Sequence, residues 1–168
     1  MKRVFCILIA LILFLTSCQN VSVDGGCDII SNFTAQANVI TKDGNILCSI
    51  SRASDGVFCV SIYEPEQLKG LKYIRMDNKY SIEYNDLKYE TSDLYFPQTA
   101  FFKSIICVLD SIDSGCELKK IDSYDNISVL KGNCDVGEFE VMVNKNTKYI
   151  EKITINSMKL SVIFSEQH

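Results

Sequence analysis

The chain has 168 residues, 17 Lys and Arg against 21 Asp and Glu, a formal net charge of −4 at pH 7 and 47% hydrophobic residues. Such a length suits one domain with a real core, and the acidic balance excludes the clustered basic surface that nucleic-acid binding requires. The single histidine, His168, is the last residue, which leaves no imidazole inside the fold for Cys-His or Ser-His-Asp chemistry.

In chain order, Lys2 and Arg3 precede an uncharged apolar run from Val4 to Leu15, the basic n-region and apolar h-region of an exported protein. The run ends in Leu15-Thr16-Ser17-Cys18, which resembles the lipobox of bacterial lipoproteins. That resemblance implies a signal peptide over 1–17, acylation of Cys18 and a lipid-anchored domain on the outer side of the cell membrane, the membrane being its first partner. Two other readings stand beside it. A single spanning helix would need about 20 apolar residues, more than this run provides. A simple cleaved signal peptide would leave Cys18 an incidental thiol. Diacylation supplies the two hydrophobic anchors that stable attachment requires. Loss of 1–17 removes Lys2 and Arg3 and no acid, so the formal net charge moves from −4 to −6.

Residues 18–32 read as a lipidated N-terminus and tether, and 33–168 as the folded domain. From Phe33 to Val39 apolar residues alternate with Thr34, Gln36 and Asn38, the pattern of a half-buried strand. Lys42-Asp43-Gly44-Asn45 makes a turn, and Ile46, Cys48 and Ile50 then share one face of a second strand. Phe58, Val60 and Ile62 share a face of a third, and matching the two faces pairs Cys48 with Val60 and sends Cys59 to the opposite side. Glu64-Pro65 ends that strand, and Glu66 to Gly70 forms a turn or short helix. Leu71–Met76, Lys79–Tyr84 and Leu87–Thr91 read as strands separated by turns at Asp77-Asn78 and Asn85-Asp86.

Gln98 to Ile112 is the one clear helix, entered after Pro97 with Thr99 as an available N-cap and left before Ser114-Gly115. Its apolar residues cover nearly the whole circumference, so it is buried on more than one side. Asn126–Lys131, Glu138–Asn144, Ile150–Asn156 and Lys159–Phe164 return to strand periodicity. The expectation is an α+β fold, mostly antiparallel β, with a sheet of nine or ten strands and one main apolar helix.

Beyond Cys18, the cysteines at 27, 48, 59, 107, 116 and 134 allow fifteen disulfide connectivities. Cys48, Cys59 and Cys107 lie in apolar runs where reduced thiols behave as small hydrophobes, and no pair has C-x-x-C spacing. Cys116 and Cys134, both at predicted strand edges, are the pair best placed to join. No metal, cofactor or catalytic residue is expected.

Three stretches resemble the lipoprotein-carrier superfamily typified by LolA, LolB and LppX. They are Phe33-Thr34-Ala35-Gln36-Ala37-Asn38-Val39, the passage from Tyr63-Glu64-Pro65 through Leu68-Lys69-Gly70-Leu71 to Met76-Asp77-Asn78-Lys79-Tyr80, and the ending from Glu138 to Phe164. The resemblance implies a curved half-barrel with the helix on its concave side. It also implies a non-catalytic lipid- or lipoprotein-carrier role, with an acyl or other apolar ligand against Phe58, Val60, Ile62, Phe101, Phe102, Ile105, Ile106 and Leu109. The bland alternative is that these eight residues fill a core. A second function, suggested by sporulation lipoproteins resembling GerS, is a surface-tethered scaffold that binds another envelope protein. Replacing Cys18 with Ala is expected to move the folded domain from the membrane to the soluble fraction. Membrane fractionation that leaves the variant with the parent would overturn the lipoprotein reading.

Overall fold

The computed structural model describes residues 28–54, 56–77, 79–92 and 101–168, so Cys18, Cys27 and the expected helix entry at Pro97 to Thr99 lie outside the described residues. Six strands come first: β1 (Phe33–Thr41), β2 (Gly44–Arg52), β3 (Phe58–Glu64), β4 (Lys72–Met76), β5 (Lys79–Tyr84) and β6 (Leu87–Ser92). Helix α1 (Phe101–Asp113) follows, then β7 (Lys119–Tyr124), β8 (Ile127–Cys134), β9 (Gly137–Asn144), β10 (Ile150–Ile155) and β11 (Leu160–Ser165). The eleven described strands form one open sheet in the order β6-β5-β4-β3-β2-β1-β11-β10-β9-β8-β7. A mostly antiparallel half-barrel with one α-helix among the described residues is therefore the observed architecture.

Chain path and sheet order together explain the position of the helix. The chain starts in the middle of the sheet, meanders out to β6 at one edge, and must then reach β7 at the other. Helix α1 is that crossover. The return meander ends at β11, which pairs with β1 from Gln36↔Ser165 to Ile40↔Ser161 and closes the middle of the sheet.

Alternation decides which side the helix covers. Phe33, Ala35, Ala37 and Val39 on β1, Cys48 and Ile50 on β2, and Phe58, Val60 and Ile62 on β3 are all buried on one face. Phe139, Val141 and Val143 on β9, Ile153 and Ile155 on β10, and Leu160, Val162 and Phe164 on β11 continue it. Phe102, Ile105, Ile106, Val108 and Leu109 of α1 complete a single core against that face. The expected turns hold, with Asp77 (φ 55°) and Asn85 (φ 53°) in left-handed conformation at the two hairpins.

Several expectations need correction. Strand β7 has no counterpart in the sequence reading, because its residues are exposed along its whole length and carry no alternation. Cys48 pairs with Ile62, not Val60, and Ile50 pairs with Val60, with a register shift between Leu47 and Cys48. The difference is two residues, so both side chains keep their faces. Contacts of the domain also begin before Phe33, since the Ile30 amide donates to the Lys148 carbonyl at 3.0 Å. Among the described residues, no helix is long and apolar enough to cross a membrane.

Gly132 on β8 lies opposite Phe139 of β9. A Cβ there would stand 2.5 Å from Phe139 Cζ and 2.8 Å from Leu118 Cδ2, and the Phe139 ring is buried in the core. Gly132→Ala is expected to cost about 1–3 kcal/mol of unfolding free energy, read from the shift of the urea midpoint.

Candidate functional site

The eight residues expected to line an apolar cavity do meet. Phe58, Val60 and Ile62 project from β3 onto the concave face, and Phe102, Ile105, Ile106 and Leu109 descend from α1 between them; all seven are buried, and Phe101 packs partly buried beside them. Their meeting fills the space instead of enclosing a large void. Phe102 is the centre: its ring lies 5.1 Å from that of Tyr73 in a stacked arrangement, 5.5 Å from Phe58, and 6.0 Å edge-on to Tyr80. Such contacts add to area burial by about 0.5–1.5 kcal/mol per pair.

Open space remains on the two flanks of α1. A cleft of about 470 Å³ lies between the helix, β4–β5 and the turn after β8, lined among others by Arg75, Tyr80, Lys103, Ile106, Asp110 and Asp135. Its walls carry charges of both signs. A smaller cavity of about 240 Å³ opens at the N-terminal end of the helix, between Ile46, Tyr73, Phe101, Met158 and Leu160, with Thr41 to Asp43 at its rim. Apolar side chains make up most of its lining. Tyr73 pairs with Val60 on one side and Ile82 on the other, and Ile82 pairs with Tyr89. Directly opposed residues share a face, so Val60, Tyr73, Ile82 and Tyr89 make an apolar row from the core to the β6 edge.

The C-terminal half of α1 is held by charge. Arg52 ends the inward-facing series of β2, where its side chain is only 6% exposed, and its Nη2 donates to Asp110 Oδ1 at 2.8 Å and Asp113 Oδ2 at 2.6 Å. Arg75 of β4 takes the same Asp110 with both terminal nitrogens, the second at 3.1 Å. Burial alone would lower the Arg75 guanidinium, but its hydrogen bond to Asp110 and that carboxylate's charge hold it above its ordinary value. Two strands are thereby fastened to one helical turn. The sequence carried a signal for this clamp: an arginine at an apolar-phase position of β2 must find anions on whatever covers that face.

Among the described residues the five cysteines are free, so Cys116 and Cys134 are not joined. Burial pushes the Cys48 thiol up to about 12. Burial, then a hydrogen bond with Cys107, pushes Cys134 up to about 11. That burial favours the protonated thiol at neutral pH, in the core at Cys48 and at its margin at Cys134. No cluster of three or more metal-ligating side chains occurs among the described residues.

No protein-family model and no curated protein matches the sequence. Solved structures do resemble it. An uncharacterized conserved protein from Thermus thermophilus superposes with a TM-score of 0.57 at 10% identity, covering 83% of this chain and 79% of that one. The two share a fold. A LolA superfamily protein from Nitrosomonas europaea matches more weakly, with a TM-score of 0.43 at 9% identity over 80% of this chain and 83% of that one.

Removing the shared anion of the clamp should be costly. Asp110→Ala strands the buried Arg52 with one partner and Arg75 with none from the helix, and is expected to lose about 2–4 kcal/mol of stability. Asp113→Ala removes one of the two carboxylates on Arg52, leaves Asp110 on both arginines, and should lose about 1 kcal/mol or less. Urea unfolding of the two variants in parallel checks the order.

Proposed function

We propose that the protein is a non-catalytic, carrier-like binding module, tethered to the outer face of a membrane by lipid on Cys18, that takes an acyl chain or similar apolar ligand between α1 and the sheet. The observation that carries this reading is the apolar row from Tyr89 through Ile82 and Tyr73 to Val60, in which Tyr73 forms a wall of the cavity beside Phe101. A ligand following that row would meet α1 at its N-terminal end, away from the Arg52–Asp110–Asp113 clamp.

That cavity, about 240 Å³, is below the usual 300–1,000 Å³ of small-molecule sites. Uptake therefore requires Phe101 and Phe102 to swing away from Tyr73 while the clamp holds the other end of the helix. The apolar atoms exposed by that motion would be covered by the ligand, so the exchange is of one hydrophobic occupant for another. The sequence resemblance to lipoprotein carriers supports the same reading.

Titration with a fluorescent polyene fatty acid tests it. Saturable one-to-one binding is expected, weakened at least tenfold by Ile46→Glu at the cavity wall, with urea unfolding run in parallel to show the variant folded. Absence of saturable binding to the parent protein would overturn the carrier reading. Capture of an envelope protein by the empty domain would replace it with the scaffold role.

A further inference from the structure

We propose that β6 is a homodimer edge, pairing antiparallel with β6 of a second copy of this chain about a two-fold axis at Tyr89. The two edges of the described sheet, β6 and β7, are not equivalent. Strand β7 begins with Lys119-Lys120 and has a register shift between Lys120 and Asp122 against its neighbour. Adjacent lysines and a bulge are devices that keep an edge from pairing with another chain. Strand β6 has neither. Its pairing with β5 runs unbroken from Lys79↔Ser92 to Tyr84↔Leu87, it contains no proline, and Leu87 and Tyr89 are 74% and 62% exposed.

The charges select the occupant and the register. An antiparallel pair centred on Tyr89 sets Lys88 of each copy opposite Glu90 of the other, giving two opposite-charge cross-strand pairs, and sets Leu87 opposite Thr91. Centring on Lys88 would oppose two lysines, and centring on Glu90 two glutamates, which like-charge repulsion disfavours. In the single chain Lys88 Nζ already leans to Glu90 Oε1 at 3.0 Å, so both groups lie on the same face and need only reach across. Such a two-fold axis keeps the concave faces on one side. The row Val60–Tyr73–Ile82–Tyr89 would then run into its own copy, with the two Tyr89 rings side by side. A six-residue edge is short of the usual interface of about 800 Å² per partner, so the dimer should be concentration-dependent and weakened by salt.

The experiment is charge exchange in the full-length protein, kept in mild detergent and followed by sedimentation velocity. Lys88→Glu and Glu90→Lys are each expected to weaken dimerisation at least tenfold, because each opposes like charges in the two-fold register. An equimolar mixture of the two is expected to form a heterodimer, since every 88–90 pair across the edge is then opposite in sign; this result also shows both variants folded. Tyr89→Cys should give a disulfide-linked dimer on copper–phenanthroline oxidation, while Lys120→Cys on the other edge stays at the background of the native thiols. A parent protein that is monomeric at every concentration, or a mixture of two folded single variants that stays monomeric, would overturn the proposal.

Discussion

An open sheet with one apolar face cannot stand alone in water, and this sheet has a further constraint: its two edges are consecutive in the chain. Strand β6 ends at Ser92 and β7 starts at Lys119, yet they lie at opposite ends of an eleven-stranded order. The connection has to cross a face. Crossing the apolar one covers the exposed hydrophobic surface and satisfies the topology with the same thirteen residues of α1. A crossover over the polar face would leave the concave face uncovered. Aromatic contacts around Phe102 and the core positions of β3 follow from this one placement.

Two kinds of force then hold the two ends of that helix. Dispersion and aromatic packing act at Phe101 and Phe102, where contacts are non-directional and can be traded for those of another apolar occupant. Charge-assisted hydrogen bonds act at Asp110 and Asp113, where Arg52 has almost no water to fall back on and separation would leave it unpaired. The two ends of the helix are thus held by interactions of different kind, apolar packing at one and charge at the other. The two flanking spaces reflect the same division: the apolar cavity adjoins the first end, and the cleft bearing Arg75, Lys103 and Asp135 adjoins the second.

Most of the architecture was legible because strands with one buried face announce themselves by alternation, as β1, β9 and β11 do. The apolar residues that meet at α1 were legible for the same reason. Strand β7 was hidden because Lys119 to Tyr124 is exposed on both faces at an edge, where backbone pairing with β8 and not side-chain burial sets the strand. The register of β2 on β3 was hidden because a slip of two residues leaves every face unchanged, so alternation alone cannot tell Cys48↔Ile62 from Cys48↔Val60. Filling of the cavity was not readable either. Whether Phe58, Ile105 and Leu109 surround a void or each other depends on how close α1 sits to the sheet, which periodicity does not encode. Arg52 follows Cys48 and Ile50 at the same spacing, so its inward side is readable from the alternation while its partners are not.

The pairing of β1 with β11 carries a consequence for how the chain becomes this structure. The first and last strands are neighbours at the middle of the sheet, and the Thr34 and His168 backbones exchange hydrogen bonds at 3.0 and 3.1 Å. The seam of the protein is therefore the contact most distant along the chain. Local hairpins on either wing can form early, but the core between them is joined only when a loop of nearly the whole domain has closed. Joining β1 to β11 is then a long-range step, and an unpaired inner edge of β1 is an open template for any strand that reaches it first.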